Sequence, residues 1–70
     1  MPIYICNKVT DNNGRHEIHV LNCSRGPSLP NTIELGWFSS CKEAIQSMKN
    51  QNPYHEFDGC YYCSYECHKG

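Results

Sequence analysis

The feature that most constrains this chain is its density of cysteine and histidine, with six Cys and four His in 70 residues. A chain of this length buries only about 60% of the surface that its unfolded form exposes, so its apolar core contributes little stability. Small domains of this kind usually also need disulfides or a structural metal. The sequence therefore predicts a single stabilised domain, residues 1–70, and excludes folds such as the TIM barrel that require far longer chains.

Charge and hydropathy narrow the choice of partner and compartment. Six Lys and Arg oppose seven Asp and Glu, for a net charge of −1, and the cations are scattered. Nucleic-acid modules usually carry a basic excess on one face, so charge does not argue for nucleic acid. No apolar run approaches the about 20 residues of a membrane span, and residues 1–20 lack the apolar centre of a signal peptide. We expect a cytoplasmic protein, in which clustered Cys are first metal ligands or redox groups.

Alternating apolar and polar residues predict a small sheet. Three segments are predicted as strands: residues 3–9, 15–21 and 32–38. The first two form a β-hairpin around residues 11–14, where Asn and Gly tolerate positive φ. Gly36 interrupts the third strand and is expected to mark a bulge. On the second strand His16 and His19 are three residues apart, so they face opposite sides of the sheet.

The second half of the chain predicts one main helix. Ser40 and Glu43 form a capping box, and four apolar residues then share one helical face: Cys41, Ala44, Ile45 and Met48. The helix is expected over residues 41–51, because Pro53 makes the preceding residue favour an extended backbone. Residues 58–63 resemble a turn that leads into a short final helix. The predicted class is a small metal-stabilised α+β domain: a hairpin plus a third strand, one helix packed on the sheet, and a C-terminal Cys-x-x-Cys knuckle.

The knuckle is formed by Cys60 and Cys63, directly after Gly59. Two thiolates at this spacing can bind one zinc ion (Zn2+) from a tight turn, and Gly59 would let the backbone turn toward the sulfurs. The same spacing serves disulfide oxidoreductases. There it normally opens a long helix after a strand in a βαβ unit, which this sequence lacks. The metal interpretation is therefore favoured over the redox one.

A structural zinc ion needs four ligands, and His19 and Cys23 offer two more. Their His-x-x-x-Cys spacing, at the end of the second strand, lets a turn aim both side chains at one point. The predicted metal ligands are His19, Cys23, Cys60 and Cys63. Three further residues stay open as alternative ligands: His16, Cys67 and His68. Cys6 and Cys41 are interpreted as structural, one on a strand and one on the apolar stripe of the helix.

Three motifs follow one another along the chain: His19-x-x-x-Cys23, Phe-Ser-Ser-Cys-Lys-Glu-Ala at residues 38–44, and Gly59-Cys60-x-x-Cys63. This arrangement, over residues 16–63, resembles the zinc-binding domain of the Ada DNA-repair protein and its short stand-alone relatives. The chain is also similar to small uncharacterised bacterial Cys/His-rich proteins with a His-Glu-x-His hairpin. The resemblance implies a small sheet, a helix against it and one zinc held by the four ligands at matching positions. In Ada the first ligand is a methyl-accepting thiolate, and here that position is His19. The resemblance therefore implies fold and metal rather than methyl transfer.

Three classes of function follow from these patterns. The first is a binding or adaptor module with structural zinc, because four protein ligands leave no open position for a substrate. Its many aromatic residues would suit a protein partner. The second is a thiol-based enzyme, either a methyl acceptor or a redox protein. The third is a disulfide-stabilised domain, for which six Cys allow 15 pairings.

Overall fold

The structure is a computed structural model and describes residues 2–69. Within that range the regular elements are four strands and one α-helix: β1 (Ile3–Thr10), β2 (Arg15–Val20), β3 (Thr32–Trp37), α1 (Cys41–Gln51) and β4 (Glu56–Gly59). Two short 3₁₀ helices complete it, at Leu29–Asn31 and Tyr65–Cys67. The α+β class and the single main helix are confirmed. In the part of the chain described, no helix has the length and apolar character needed to cross a membrane.

The strands form one mixed sheet in the order β3-β1-β2-β4. β1 pairs antiparallel with β2, which confirms the predicted hairpin. β1 also pairs antiparallel with β3, a pairing that the sequence did not predict. β4 pairs parallel with β2 and is a strand that the sequence did not predict. The predicted turn at residues 58–59 is in fact the end of this strand. Only Phe57 supplies an apolar side chain there, so the segment carries no alternating pattern.

The predicted bulge is confirmed in the pairing of β1 with β3. Tyr4 pairs with Gly36 and the next residue, Ile5, pairs with Glu34, so Leu35 is the extra residue. Gly36 has a φ of 103°, in the left-handed half of conformational space where residues with a Cβ are strained.

Helix α1 covers one face of the sheet and begins and ends where the sequence predicted. The hydroxyl of Ser40 accepts a hydrogen bond from the Glu43 N–H at 3.3 Å and so caps the first turn. The buried core between helix and sheet consists of Tyr4, Cys6, Ile18, Cys41, Ala44, Phe57 and Cys67. The core is small, as expected for a chain of this length.

A disulfide joins Cys41 to Cys67 across 26 residues of sequence. It fixes the first residue of α1 to the last 3₁₀ helix. Cys41 is buried as expected. The prediction that it serves core packing alone was incomplete, because it also forms this disulfide. Cys67 is therefore not a free thiol. The hypothesis of a disulfide-stabilised domain is correct for this one pair of cysteines. Among the described residues, four cysteines remain free: Cys6, Cys23, Cys60 and Cys63.

Candidate metal centre

Four side chains from both halves of the chain converge beside the end of β2. They are His19, Cys23, Cys60 and Cys63, and their ligand atoms all lie within 4.8 Å of one another. The sulfurs of Cys23 and Cys60 are 3.9 Å apart, and the Cys63 sulfur is 3.8 Å from Nδ1 of His19. Ligands about 2.3 Å from a tetrahedral zinc ion stand about 3.8 Å from one another. The spacing of these donors therefore fits a tetrahedral metal ion.

The first pair is positioned by the end of β2 and the turn that follows. His19 points to the face of the sheet opposite Ile18, away from α1, and is fully buried. After the strand the chain turns back at once: Asn22 has a φ of 69°, and the Cys23 N–H donates to the Val20 carbonyl at 3.1 Å. This tight turn is what allows a residue four positions later to reach the same point as His19.

The second pair arrives through the parallel pairing of β4 with β2. Gly59 is paired with Ile18, and the Cys60 N–H donates to the Ile18 carbonyl at 2.9 Å. The Ser64 N–H then donates to the Cys60 carbonyl at 2.9 Å and closes the turn that carries Cys63. The unpredicted strand thus brings together two ligand pairs that are distant in sequence.

Gly59 is required for a reason other than the one the sequence suggested. A Cβ at this position would lie 2.5 Å from the Ser64 carbonyl oxygen and 2.6 Å from Cβ of Cys67. Both separations are too short for any side chain. Gly59 therefore serves the close packing of the last 3₁₀ helix on β4, which holds the Cys60–Cys63 turn in place.

Backbone N–H groups point at two of the sulfurs. The Val20 N–H donates to the sulfur of Cys63 at 3.3 Å, and the Tyr62 N–H donates to the sulfur of Cys60 at 3.4 Å. Hydrogen bonds to a thiolate favour its charged form. These donors suit sulfurs that carry negative charge toward a metal ion.

The pKa values of His19, Cys23 and Cys63 indicate which of them must lose a proton when a metal ion binds. Burial lowers the pKa of His19, so its imidazole is neutral and available as a ligand. Burial, and then hydrogen bonding to the Cys23 thiol, raises the pKa of Cys63 to about 12. The pKa of Cys23 is lowered, because burial is outweighed by hydrogen bonds from the Cys63 thiol, the Arg25 backbone and the Cys60 thiol. Binding of a metal ion here must release thiol protons.

Glu17 lies behind His19 and was not identified from the sequence. Its carboxylate oxygen is 3.1 Å from Nε2 of His19. The approach lacks hydrogen-bond geometry, and Nε2 has no hydrogen-bond partner among residues 2–69. A carboxylate behind the non-ligating nitrogen is a frequent partner of metal-bound His. The alternation of β2, which puts Glu17 and His19 on one face, is the signal that could have revealed it.

The three alternative ligands lie outside this cluster. Nδ1 of His16 is 2.9 Å from the Asn7 carbonyl oxygen, on the other face of the sheet. Nδ1 of His68 is 3.0 Å from the Gly59 carbonyl oxygen, and Cys67 is in the disulfide.

Comparison with protein-family models, with curated proteins and with solved structures finds no match. The likeness to the Ada zinc-binding domain therefore stays a prediction. What the site can do is argued from its own geometry.

Proposed function

We propose that this chain is a small binding or adaptor module, of Ada-like architecture, whose fold is held by one structural zinc ion. The observation that carries the proposal is the complete donor set of three thiols and one neutral imidazole within 4.8 Å. Such Cys₃His sets are typical of structural zinc, and four protein ligands leave no position for a substrate or catalytic water. Thiolate and imidazole donors also disfavour calcium and magnesium, which prefer oxygen.

An aromatic surface beside the site supports a protein partner. Tyr61, Tyr62 and Tyr65 are each more than half exposed. Tyr61 stands edge-on to the other two rings, and the Arg25 guanidinium lies 4.2 Å above the ring of Tyr62. Tyr and Arg are enriched in protein interfaces and lose little rotamer freedom when already packed together. The turn that would bind zinc thus presents a preformed aromatic surface.

Metal content is the direct test of the zinc proposal. Native mass spectrometry of protein purified without chelator should show one zinc ion per chain. Cys60→Ser and Cys63→Ser should lose the ion and with it much of their stability, since structural zinc contributes about 10–16 kcal/mol of apparent binding free energy in small domains. Cys6→Ala is the matched control, because it removes a free thiol outside the cluster and should keep the ion. A folded wild-type chain without metal that does not respond to added zinc would contradict the proposal.

Thiol chemistry is the second candidate, because the Cys23 thiol is partly exposed and has a lowered pKa. For methyl transfer, however, the acceptor position of the resemblance holds His19, whose ligating nitrogen would have its lone pair on the metal. We therefore expect no methyl transfer from methylated DNA phosphate. Incubation with methylated DNA, followed by intact-mass measurement, should show no mass gain. A stoichiometric gain of one methyl group on a cysteine would instead establish the chain as a methyl-accepting enzyme.

A further inference from the structure

Two histidines meet on the α1 side of the sheet, away from the four-donor site. His16 lies on β2 and His55 immediately precedes β4. Their ring centroids are 5.3 Å apart, and the ring of His16 is also 5.6 Å from that of Phe57. The His16 ring is therefore held between a core aromatic residue and its histidine neighbour.

The hydrogen bond of His16 fixes which of its nitrogens is free. Nδ1 lies 2.9 Å from the carbonyl oxygen of Asn7. A carbonyl oxygen can only accept, so Nδ1 carries the proton and the lone pair of the neutral ring is on Nε2. Metal-ligating histidines almost always donate their other ring N–H to a carbonyl or carboxylate in this way. His16 thus has the tautomer and the support of a metal ligand.

The free nitrogen of His16 faces a second nitrogen at ligand spacing. Nε2 of His16 and Nδ1 of His55 are 3.3 Å apart. Two nitrogens about 2.0–2.1 Å from one tetrahedral zinc ion stand about 3.3–3.4 Å from each other. The same separation also allows a hydrogen bond between the two rings, at the long end of the usual range. The pair is therefore spaced for a shared metal ion at least as well as for a hydrogen bond.

The surroundings leave room for the rest of a coordination shell. A cavity of about 110 Å³ borders both histidines and is lined by Cys6, Met48 and Phe57 among others. A water molecule needs only about 10–15 Å³ of such space. No Lys or Arg lines this cavity. The Lys49 ammonium donates to the His55 carbonyl at 2.8 Å, and its charge is paired with the Glu56 carboxylate, also at 2.8 Å.

We propose that His16 and His55 form a second metal site, for an exchangeable divalent ion of the zinc class. Two imidazoles supply the protein ligands, and water fills the remaining positions. With only two protein ligands, this site is weaker than the four-donor site and keeps open positions for an exogenous ligand. The two sites share no ligand, because His16 and His55 lie on the face of the sheet opposite the four-donor site.

The test is a titration of protein already loaded with one equivalent of Zn2+. Isothermal titration calorimetry with further Zn2+ should reveal a second equivalent, and NMR should show the ring nitrogens of His16 and His55 shifting with it. His55→Gln should weaken this second event by about tenfold or more, since even outer-shell partners of a metal ligand are worth 10–100-fold. His68→Gln is the matched control and should leave the second event unchanged. His55 is exposed, so its variant should fold even if His16→Gln does not.

Two results would overturn the second site. One is a wild-type chain that takes up no second equivalent, which would leave the pair as an ordinary histidine contact. The other is a second equivalent that His55→Gln binds as well as the wild type. His55→Gln also separates the two proposals, because it should weaken the second equivalent and leave the first, tight equivalent on the four-donor site unchanged.

Discussion

Single side chains around the four-donor site do more than supply ligand atoms. Glu17 is the clearest case, because its carboxylate lies 3.1 Å from the nitrogen of His19 that faces away from Cys63. Burial, followed by repulsion from Asp11 and Asp58, raises the pKa of this carboxyl. A metal ion on Nδ1 would make the Nε2 proton more acidic and would draw the carboxylate into a true hydrogen bond.

Removing the charge of Glu17 should therefore weaken metal binding without removing a ligand. Glu17→Gln should lower zinc affinity by about 10–100-fold, as is typical for outer-shell partners of metal-bound histidine. Competition with a chromophoric chelator measures the affinity. Glu34→Gln, an exposed strand residue, is the matched control and should bind as the wild type does. Equal zinc affinities for the wild type, Glu17→Gln and Glu34→Gln would show that Glu17 has no part in the site.

At the scale of elements, the structures encoded by neighbouring residues could be predicted, whereas pairings between distant parts of the chain could not. Helix α1 was predicted over its full length because the Ser40–Glu43 cap and the apolar stripe are encoded within a few residues. His19 and Cys23 were predicted for the same reason. β4 and the Cys41–Cys67 disulfide were missed, because the partner of each lies far along the chain and no local pattern reports it. The meeting of the two ligand pairs depends on β4, so the sequence suggested the ligands but not what brings them together.

The disulfide joins two elements that have few other contacts, so its loss should be costly. Closing a loop of 26 residues is worth about 3–4 kcal/mol in the chain-entropy model. Core packing of Cys41 alone would be worth about 1 kcal/mol, as for a typical substitution. Cys41→Ala should therefore lower the free energy of unfolding by about 3–4 kcal/mol, measured by chemical denaturation.

A thiol reductant supplies the control for this variant. It should destabilise the wild type and leave Cys41→Ala nearly unchanged, because the variant has no disulfide left to break. Cys67→Ala should show a similar loss, and the double variant should lose little more than either single one. A loss near 1 kcal/mol in Cys41→Ala would mean that the disulfide does not form in solution.

At the scale of the whole molecule, the metal-free fold should be sensitive to alkali. Burial raises the pKa of Cys6 to about 11 and, with thiol hydrogen bonding, that of Cys63 to about 12, from an ordinary 9.0. A group whose pKa is higher in the folded state stabilises the fold below its unfolded pKa. That stability is lost as pH rises through the folded pKa. The denaturation midpoint of chelator-treated protein should therefore fall between pH 9 and about 12.

Two comparisons show whether these thiols cause the fall. Zinc-loaded protein should lose less stability over the same range, because Cys63 is already deprotonated on the metal. Metal-free Cys63→Ala should show a smaller fall, because Cys6 and Tyr4, whose pKa burial also raises, would still contribute. A midpoint that stays constant with pH in the metal-free wild type would show that the thiols are not buried in the folded chain.

The distance between the two ligand pairs also governs how the molecule is made. Cys60 follows Cys23 by 37 residues, which is about 2–7 s of synthesis at 5–20 residues per second. During that interval β2 has no neighbour on one side, and His19 and Cys23 form half of a site. Helix α1 can already exist, but the strand that completes the sheet has yet to be synthesised. The nascent chain therefore cannot close its sheet or its metal site until β4 and the Cys60–Cys63 turn have been synthesised.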